Sequence, residues 1–205
     1  NSLAETKLSL EDVSLKLHES RVKAAEDFAQ EMTDSIRGLE LVYAAFDVQI
    51  TDAPLSQFGS DNIVFRFSST GRNLTDLSKC ASGGELSRIM LALKAMRARY
   101  TAMPTMIFDE IDTGVSGSVA DKMGSMICSM GSYMQVFAIT HLPQVAAKGC
   151  AHYLVSKDIN PDTSVAVSKI ERLSDEQRVL EIARMLSGST LTDAAVANAR
   201  SLLKN

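Results

Sequence analysis

The stretch TMIFDE, residues 105 to 110, decides the fold together with QVFAIT at 135 to 140. Both are short apolar runs without polar alternation, which is typical of strands buried on both faces of a parallel sheet. The segment from about Ser116 to Met130 predicts a helix between them, so the three elements form a βαβ unit. Ligands of such sheets bind at the carboxyl ends of the strands. We therefore expect the polar residues that end both strands on one edge of the sheet: Asp109, Glu110, Thr140 and His141.

A pair of glycines opens the helix that precedes this unit, in the stretch SKCASGGELSR at 78 to 88. Ser82 and Glu85 have the spacing of a capping box, in which each side chain accepts from the backbone of the other residue. The bare N–H groups of Gly83 and Gly84 at the positive end of a helix also suit phosphate binding. Ser82 can serve both purposes, because a hydroxyl accepts and donates.

The first 40 residues follow a helical pattern with apolar residues three and four apart. The seam is Leu8, Leu15, Val22, Ala25, Ala29, Met32, Ile36 and Leu39, and it is broken where Glu11 and His18 replace apolar residues. One interpretation is an amphipathic helix that lies on its own domain. The other is one leg of a coiled coil that enters a globular head. We take residues 1–42 as a descending coiled-coil helix and 43–205 as the head.

The rest of the head mixes antiparallel strands and helices. Alternating segments at 45–50 and 62–67, separated by a loop containing Pro and Gly, predict an antiparallel pair. A helix follows from 83 to about 100. After the βαβ unit we expect a short helix from Pro143, a hairpin around the turn DINPDT, and two helices that begin after Ser174 and near Thr192.

Composition limits the class of protein more than its partners. A content of 45% hydrophobic residues suits a packed core, and no apolar run approaches the ~20 residues that span a bilayer. The three cysteines lie far apart without an adjacent His cluster, so neither zinc nor disulfides are indicated. The net charge of −4 argues against coating nucleic acid by bulk charge. We expect a cytoplasmic location and, because residue 1 is Asn in a running helical pattern, a fragment of a longer chain.

An apolar strand that ends in Asp-Glu has the layout of a Walker B motif. Its first carboxylate holds Mg²⁺, usually through water, and its second polarises the water that attacks a γ-phosphate. By itself such a pair is more often an ordinary loop or cap carboxylate. Here, however, a glycine pair, an Asp-Glu strand end and a strand followed by His come in order. That order indicates binding and hydrolysis of a nucleotide.

Four stretches resemble one known family: LSKCASGGELSRIMLALKA, PTMIFDEIDTGVSGSVADKMG, QVFAITHLPQVAAKG and EIARMLSG. They are similar to the C-terminal half of the RecN family, bacterial DNA repair ATPases related to SMC proteins within the ABC superfamily. The resemblance covers about residues 45 to 205, and the heptad helix is similar to the descending arm of that family. It implies an α/β fold, the C-terminal lobe of an ABC/SMC-type ATPase head.

The resemblance also implies roles for individual residues. Ser82, Gly83, Gly84 and Glu85 are similar to the signature motif, which contacts the γ-phosphate of a nucleotide held by the opposite head. Asp109 would hold Mg²⁺, Glu110 would be the catalytic base, and His141 would be the switch histidine. Asp112, Thr113, Gly114 and Ser116 would belong to the D-loop that crosses a dimer interface. Ser116 stands where many ABC proteins carry the aspartate of that loop.

One motif of the family is missing from the chain. No G-x-x-x-x-G-K-[ST] occurs, so the loop that cradles the phosphates is absent. In the family this loop lies in the N-terminal half, ahead of the coiled coil. We expect ATP and Mg²⁺ to bind only when that half is present, and the chain alone to be inactive.

Two hypotheses from different classes follow. The first is half of an ATPase head, working as an ATP-sandwiched homodimer coupled to DNA, especially double-strand break ends, in repair and recombination at the nucleoid. The second is a non-hydrolysing SMC-like scaffold that bridges DNA or proteins; the presence of Glu110 favours the first. A third hypothesis, the nucleotide-binding domain of a transporter, is weaker because the heptad helix suits an SMC-like arm better. Four basic residues of the glycine-opened helix form either a DNA-binding strip or a solvated face: Arg88, Lys94, Arg97 and Arg99.

Overall fold

The structure is a computed structural model that describes residues 2–79, 82–109, 111–112, 114–159, 166–188 and 190–204. Its contacts divide the chain into two compact units, Asn1–Met96 and Arg97–Asn205. The boundary expected between residues 42 and 43 separates an arm from a head, and it stays a prediction. Within the described ranges, no helix is long and apolar enough to cross a membrane.

The first unit combines a long helix with an antiparallel sheet. Its elements in chain order are α1 (Ser2–Gly38), β1 (Ala45–Ser56), β2 (Gly59–Ser68), β3 (Thr75–Asp76), a 3-10 turn (Leu77–Lys79) and most of α2 (Gly83–Thr101). The strand order is β1-β2-β3. The predicted antiparallel pair is confirmed, but the predicted loop between its strands is wrong. Strand β1 continues past Pro54, which has no N–H to donate and lies where the pairing register shifts between Asp52 and Ser56.

The C-terminal half of α1 packs on this sheet. Met32 and Ile36 are fully buried, as is the nearby Leu39. Phe28 of the helix stacks on Phe65 with ring centroids 5.7 Å apart. For this half of the helix, the interpretation of an amphipathic helix on its own domain is confirmed.

The N-terminal half of α1 has a different surface. The seam residues Leu8, Leu15 and Val22 are all exposed. Apolar side chains repeating every seven residues on an exposed helix suit a partner helix. The coiled-coil interpretation therefore stays a prediction for this half.

Polar side chains attach the same half of α1 to the β1–β2 hairpin. We term this cluster the arm contact: Ser14, His18, Arg21, Ser60 and Asp61. Ser14 and Ser60 join their hydroxyls at 2.9 Å, and Asp61 Oδ1 lies 2.6 Å from His18 Nδ1. Arg21 donates to Asp61 Oδ2 at 2.8 Å. The heptad therefore breaks at His18 because that side chain faces the hairpin.

The second unit begins within α2 and contains the βαβ unit. Its further elements are β4 (Thr105–Asp109), α3 (Gly117–Met130), β5 (Gln135–Ile139), α4 (Pro143–Ala147), β6 (Tyr153–Ile159), β7 (Ala166–Arg172), α5 (Asp175–Ser187) and α6 (Asp193–Leu202). Strands β4 and β5 are parallel, and β6 and β7 form an antiparallel hairpin. Both pairings confirm the sequence-based expectation. Residues 160–165, which contain most of the predicted turn, lie outside the described residues.

The parallel strands are not buried on both faces, which corrects the prediction. Helix α3 packs against β5, and Phe108 of β4 is fully buried. Successive side chains of a strand point to opposite faces. On the other face Ile107, Phe137 and Ile139 are exposed. Both apolar runs would suit strands that are covered on both faces. Among the described residues, however, only one face of this strand pair is covered.

The C-terminal helices begin and end where the sequence indicates. Ser174 Oγ accepts from the N–H of Gln177 at 3.3 Å, and the N–H of Ser174 donates to Gln177 Oε1 at 2.7 Å. This is the predicted capping box. Gly188 ends α5 with a φ of +75°, a conformation that glycine adopts without strain. Helices α4, α5 and α6 share one apolar cluster: Ala147, Ile182, Ala183, Ala195 and Ala199.

Replacing Asp61 by Asn should loosen the arm contact at neutral pH. Hydrogen bonds from Arg21, and then from His18, hold the pKa of Asp61 below its ordinary value. The stability that this carboxylate contributes is therefore present above its unfolded-state pKa and lost as the pH falls through the lower folded-state pKa. We expect a lower Tm for Asp61→Asn near neutral pH and no difference in strong acid.

Thermal unfolding across pH checks this expectation, with amide hydrogen exchange of residues 14–21 as a local readout. Asp52→Asn is the matched control, because exposed Asp52 lies directly opposite Asp61 in the strand pair and repels it. It should leave Tm unchanged or raise it slightly. Equal losses in both variants would contradict a specific role for Asp61.

Candidate functional site

The parallel pairing brings two polar strand ends together. Asp109 is the last residue of β4 and lies opposite Ile139, the last residue of β5. Thr140 and His141 follow directly, at the same edge of the sheet. Asp109 is exposed, on the face of the strand that also carries Ile107. Glu110 and Thr113, which the sequence places at this edge, lie outside the described residues.

Asp112 is the buried centre of this edge. The residue is 1% exposed, and it is the only charged residue buried as a whole in the described part of the chain. Its carboxylate accepts a hydrogen bond from the hydroxyl of Thr140. The Thr140 oxygen in turn accepts from the N–H of Leu142 at 2.9 Å. A side chain expected in an interface loop thus points into its own unit and ties the turn after β4 to the end of β5.

His141 lies at the surface beside Asp112. Its side chain is 75% exposed, and its Nδ1 is 3.7 Å from Asp112 Oδ2. That separation is too long for a hydrogen bond. The imidazole is therefore open to a ligand on one side and faces a carboxylate on the other.

The other D-loop residues form the approach to α3. Gly114 is exposed and has a φ of +73°, and Gly117 has a φ of +60°. Between them, Ser116 precedes the helix in extended conformation and its side chain makes no capping hydrogen bond. Gly114 and Ser116 are thus available at the surface, in contrast to Asp112.

The glycine pair begins α2 in the first unit. Ser82 Oγ accepts from the N–H of Glu85 at 3.4 Å, which is one of the two hydrogen bonds of the predicted capping box. Gly83 is exposed, and a Cβ placed on it would meet no atom within 4 Å. Its φ is not in the left-handed region. Neither conformation nor packing within this chain requires glycine at this position.

Two of the four basic residues of α2 make contacts within the chain. Arg88 donates through Nε to the carbonyl of Gly84 at 3.0 Å and through Nη1 to the carbonyl of Leu39 at 3.2 Å. Arg88 therefore connects the end of α1 to the first turn of α2, and whether the four residues form a DNA-binding strip or a solvated face stays a prediction. Arg99 lies over the ring of Tyr100, 5.4 Å from its centroid.

Comparison with known proteins gives one consistent result. No protein-family model matches the chain. The DNA repair protein RecN of Vibrio cholerae serotype O1 is 38% identical over 191 residues, which are 92% of this chain and 34% of that protein. RecN of Haemophilus influenzae is 41% identical over 187 residues, 90% of this chain and 33% of that protein. The chain is similar to the C-terminal part of RecN. It spans about a third of the length of these relatives.

Solved structures support the same fold. The Smc head domain with coiled coil and joint from Pyrococcus yayanosii matches 79% of this chain and 29% of its own, with a TM-score of 0.63 and 20% identity. A structure described under ATP-driven dimerization and DNA-stimulated activation of SMC ATPases matches 84% of this chain and 98% of its own, with a TM-score of 0.60 and 16% identity. The RecN-like chain therefore has the fold of an SMC head lobe, as predicted.

Two interactions of this RecN-like chain could not be found from sequence. The Asp112–Thr140 bond joins residues 28 apart, and the His18–Asp61 pair joins residues 43 apart. No local motif connects either pair. The first would follow only from the register of β4 and β5, since that register places the turn after β4 next to Thr140.

Replacing Thr140 by Val should destabilise the second unit. The change keeps the shape of the side chain but removes the donor to the buried Asp112 carboxylate. An unsatisfied buried group costs about 1–3 kcal/mol, and we expect a loss of that size in the free energy of unfolding. Urea unfolding measures it. Thr105→Val, at the exposed end of the same sheet, is the control and should cost far less; an equal loss would show that Thr140 does not support Asp112.

Proposed function

We propose that this chain is the C-terminal part of a RecN-like ATPase that acts in the repair and recombination of DNA double-strand breaks. Similarity to RecN DNA repair proteins over nine tenths of the chain supports the family context. The observation that carries the ATPase assignment is the shared edge of β4 and β5, where Asp109 and His141 follow paired strand ends. Carboxyl ends of parallel strands are where such folds bind their ligands.

The exposed carboxylate of Asp109 fits a magnesium site. Mg²⁺ keeps several waters and is held by one or two carboxylates together with phosphate oxygens, so a single protein carboxylate is sufficient. In the described residues, no three His, Cys, Asp or Glu side chains cluster to hold a metal by themselves. The ion, when bound with ATP, would neutralise charge on the phosphates. We assign its protein ligand to Asp109, which would hold the ion through a bound water, since Mg²⁺ usually keeps several of its waters.

The remaining roles follow the order of residues along this edge. Glu110 is proposed as the general base that takes a proton from the attacking water, and His141 as the group that contacts the γ-phosphate. The open imidazole of His141 supports its role, since three quarters of the side chain is exposed. Gly114 and Ser116 would contact the second copy through the D-loop.

The signature residues would complete the site of a second copy of the protein. The unobstructed backbone of Gly83 supports close approach of a phosphate to the N-terminus of α2. An ATP-sandwiched homodimer then accounts for a glycine that its own chain does not require. Ser82, Gly84 and Glu85 would line the same surface.

The first part of the head would come from the N-terminal region of the same protein. It would supply the phosphate-cradling loop that the sequence lacks. The exposed apolar face of β4 and β5 supports this arrangement, because Ile107, Phe137 and Ile139 need a cover. The chain alone should then hydrolyse essentially no ATP, and tight Mg-ATP binding by it would contradict the proposal. DNA ends would be the partner, and the nucleoid in the cytoplasm the location.

Replacing Glu110 by Gln in the complete gene product that carries this chain tests the ATPase. We expect DNA-stimulated hydrolysis to fall by about 10²–10⁴-fold, the usual contribution of a general base. ATP should still bind, and dimers should accumulate. Steady-state hydrolysis and light scattering measure both effects. Equal rates, or no hydrolysis in either protein, would instead favour the non-hydrolysing scaffold.

Replacing Gly83 by Ala tests the signature without damaging the fold. Because the site is open and helical, the free energy of unfolding should change by no more than ~0.5 kcal/mol. ATP-dependent dimerisation of the complete gene product should nevertheless be lost.

Gly71→Ala is the matched control for a structural glycine. Gly71 has a φ of +74°, and a Cβ there would lie 2.8 Å from the carbonyl oxygen of Tyr43. We expect it to destabilise the chain by more than ~1 kcal/mol. If Gly83→Ala destabilised the chain equally, its effect on dimers would say nothing about phosphate.

A further inference from the structure

Asp112 carries a charge in a place where a charge is costly. Burying an ionised carboxylate is unfavourable unless hydrogen bonds and opposite charges compensate it. Its Oδ2 receives the hydroxyl of Thr140 and faces His141 Nδ1 at 3.7 Å. Both partners come from the two residues that follow β5. The Asp112 carboxylate therefore contacts the segment that follows β5.

Thr140 fixes the position of the carboxylate. Its oxygen accepts from the N–H of Leu142 at 2.9 Å, so its own proton is directed to Asp112. The main chain of Asp112 is held as well, since its carbonyl accepts from the N–H of Val115 at 3.2 Å. Asp112 is thus held at its carboxylate by Thr140 and at its main-chain carbonyl by Val115.

We propose that Asp112 is a positioning residue that orients the imidazole of His141, a role that rests on the proposed ATPase function. Asp112 keeps the ring proton on Nδ1 and directs Nε2 away from the protein. This Nε2 is then free to accept from water or, when the ring is protonated, to donate to a phosphate oxygen. A carboxylate that fixes the tautomer and orientation of a histidine in this way is a known device of catalytic sites.

At 3.7 Å the carboxylate already favours a proton on the Nδ1 that faces it, before nucleotide binds, and the contact then tightens on binding. Catalytic hydrogen bonds are often long without ligand and shorten in the complex. Because His141 is exposed while Asp112 is held, the imidazole is the partner that moves. The carboxylate itself need not touch the nucleotide.

Nitrogen-15 NMR of the histidine rings in this chain tests the proposal without nucleotide. The chain has three histidines, so loss of one signal in His141→Gln assigns the ring. At alkaline pH, where imidazoles are neutral, we expect the Nδ1–H tautomer for His141. In Asp112→Asn, Thr140 still donates to the amide oxygen, the amide NH₂ faces Nδ1, and the ring should change to the Nε2–H tautomer.

The arm contact supplies a matched control in the same spectrum. His18 faces Asp61 at 2.6 Å and belongs to the other unit. Asp61→Asn should change the signals of His18 and leave those of His141, whereas Asp112→Asn should do the reverse. A change at all three histidines in Asp112→Asn would indicate general unfolding of that variant. In that case the tautomer of His141 in the wild-type chain decides whether the proposal stands.

Two results would overturn the proposal. One is an Nε2–H tautomer of His141 in the wild-type chain, which requires no variant. The other is an unchanged tautomer in a folded Asp112→Asn chain. Kinetics of the complete gene product add a second readout. Asp112→Asn should lower kcat about 10- to 100-fold and leave KM unchanged. Adding His141→Gln to Asp112→Asn should cause no further loss of kcat. Absence of hydrolysis in the wild type would count against the ATPase and leave the tautomer result standing.

Discussion

The candidate site depends on the register of one parallel strand pair. Strands β4 and β5 align Asp109 with Ile139, which puts the residues after both strands at one edge. A shift of one residue would turn every side chain of a strand to the opposite face. Asp109 would then face α3, and Thr140 would no longer reach Asp112. Burial of Phe108 on the face opposite Asp109 favours the observed register.

The long helix α1 is divided between two kinds of contact. Its last turns are buried by apolar packing, while its first half is attached through the arm contact and presents Leu8, Leu15 and Val22 to solvent. The two oxygens of Asp61 contact His18 and Arg21, so these polar contacts fix which face of the helix meets the hairpin. The apolar seam runs along the border of this contact, because Leu15 lines the same cavity as His18 and Ser60 and is still exposed.

Patterns within a segment predicted the elements well, because hydrophobic period and capping are local. The βαβ unit, the antiparallel pairs and the capping box of Ser174 all follow from such patterns. Three features did not. Pro54 suggested a loop, but the strand absorbs it in an irregular stretch of pairing. Asp112 matched an interface loop, but a partner 28 residues away turns it inward. Arg88 matched a polar face, but the carbonyl of Leu39 lies within its reach.

Arg88 has one more consequence, a mechanical one. Its guanidinium holds the carbonyl of Leu39, just past the end of α1, and the carbonyl of Gly84 in the glycine pair. The planar group is stiff, so the two carbonyls cannot separate independently. Any displacement of the end of α1 from the first turn of α2 must therefore break one of these two bonds or move both segments together.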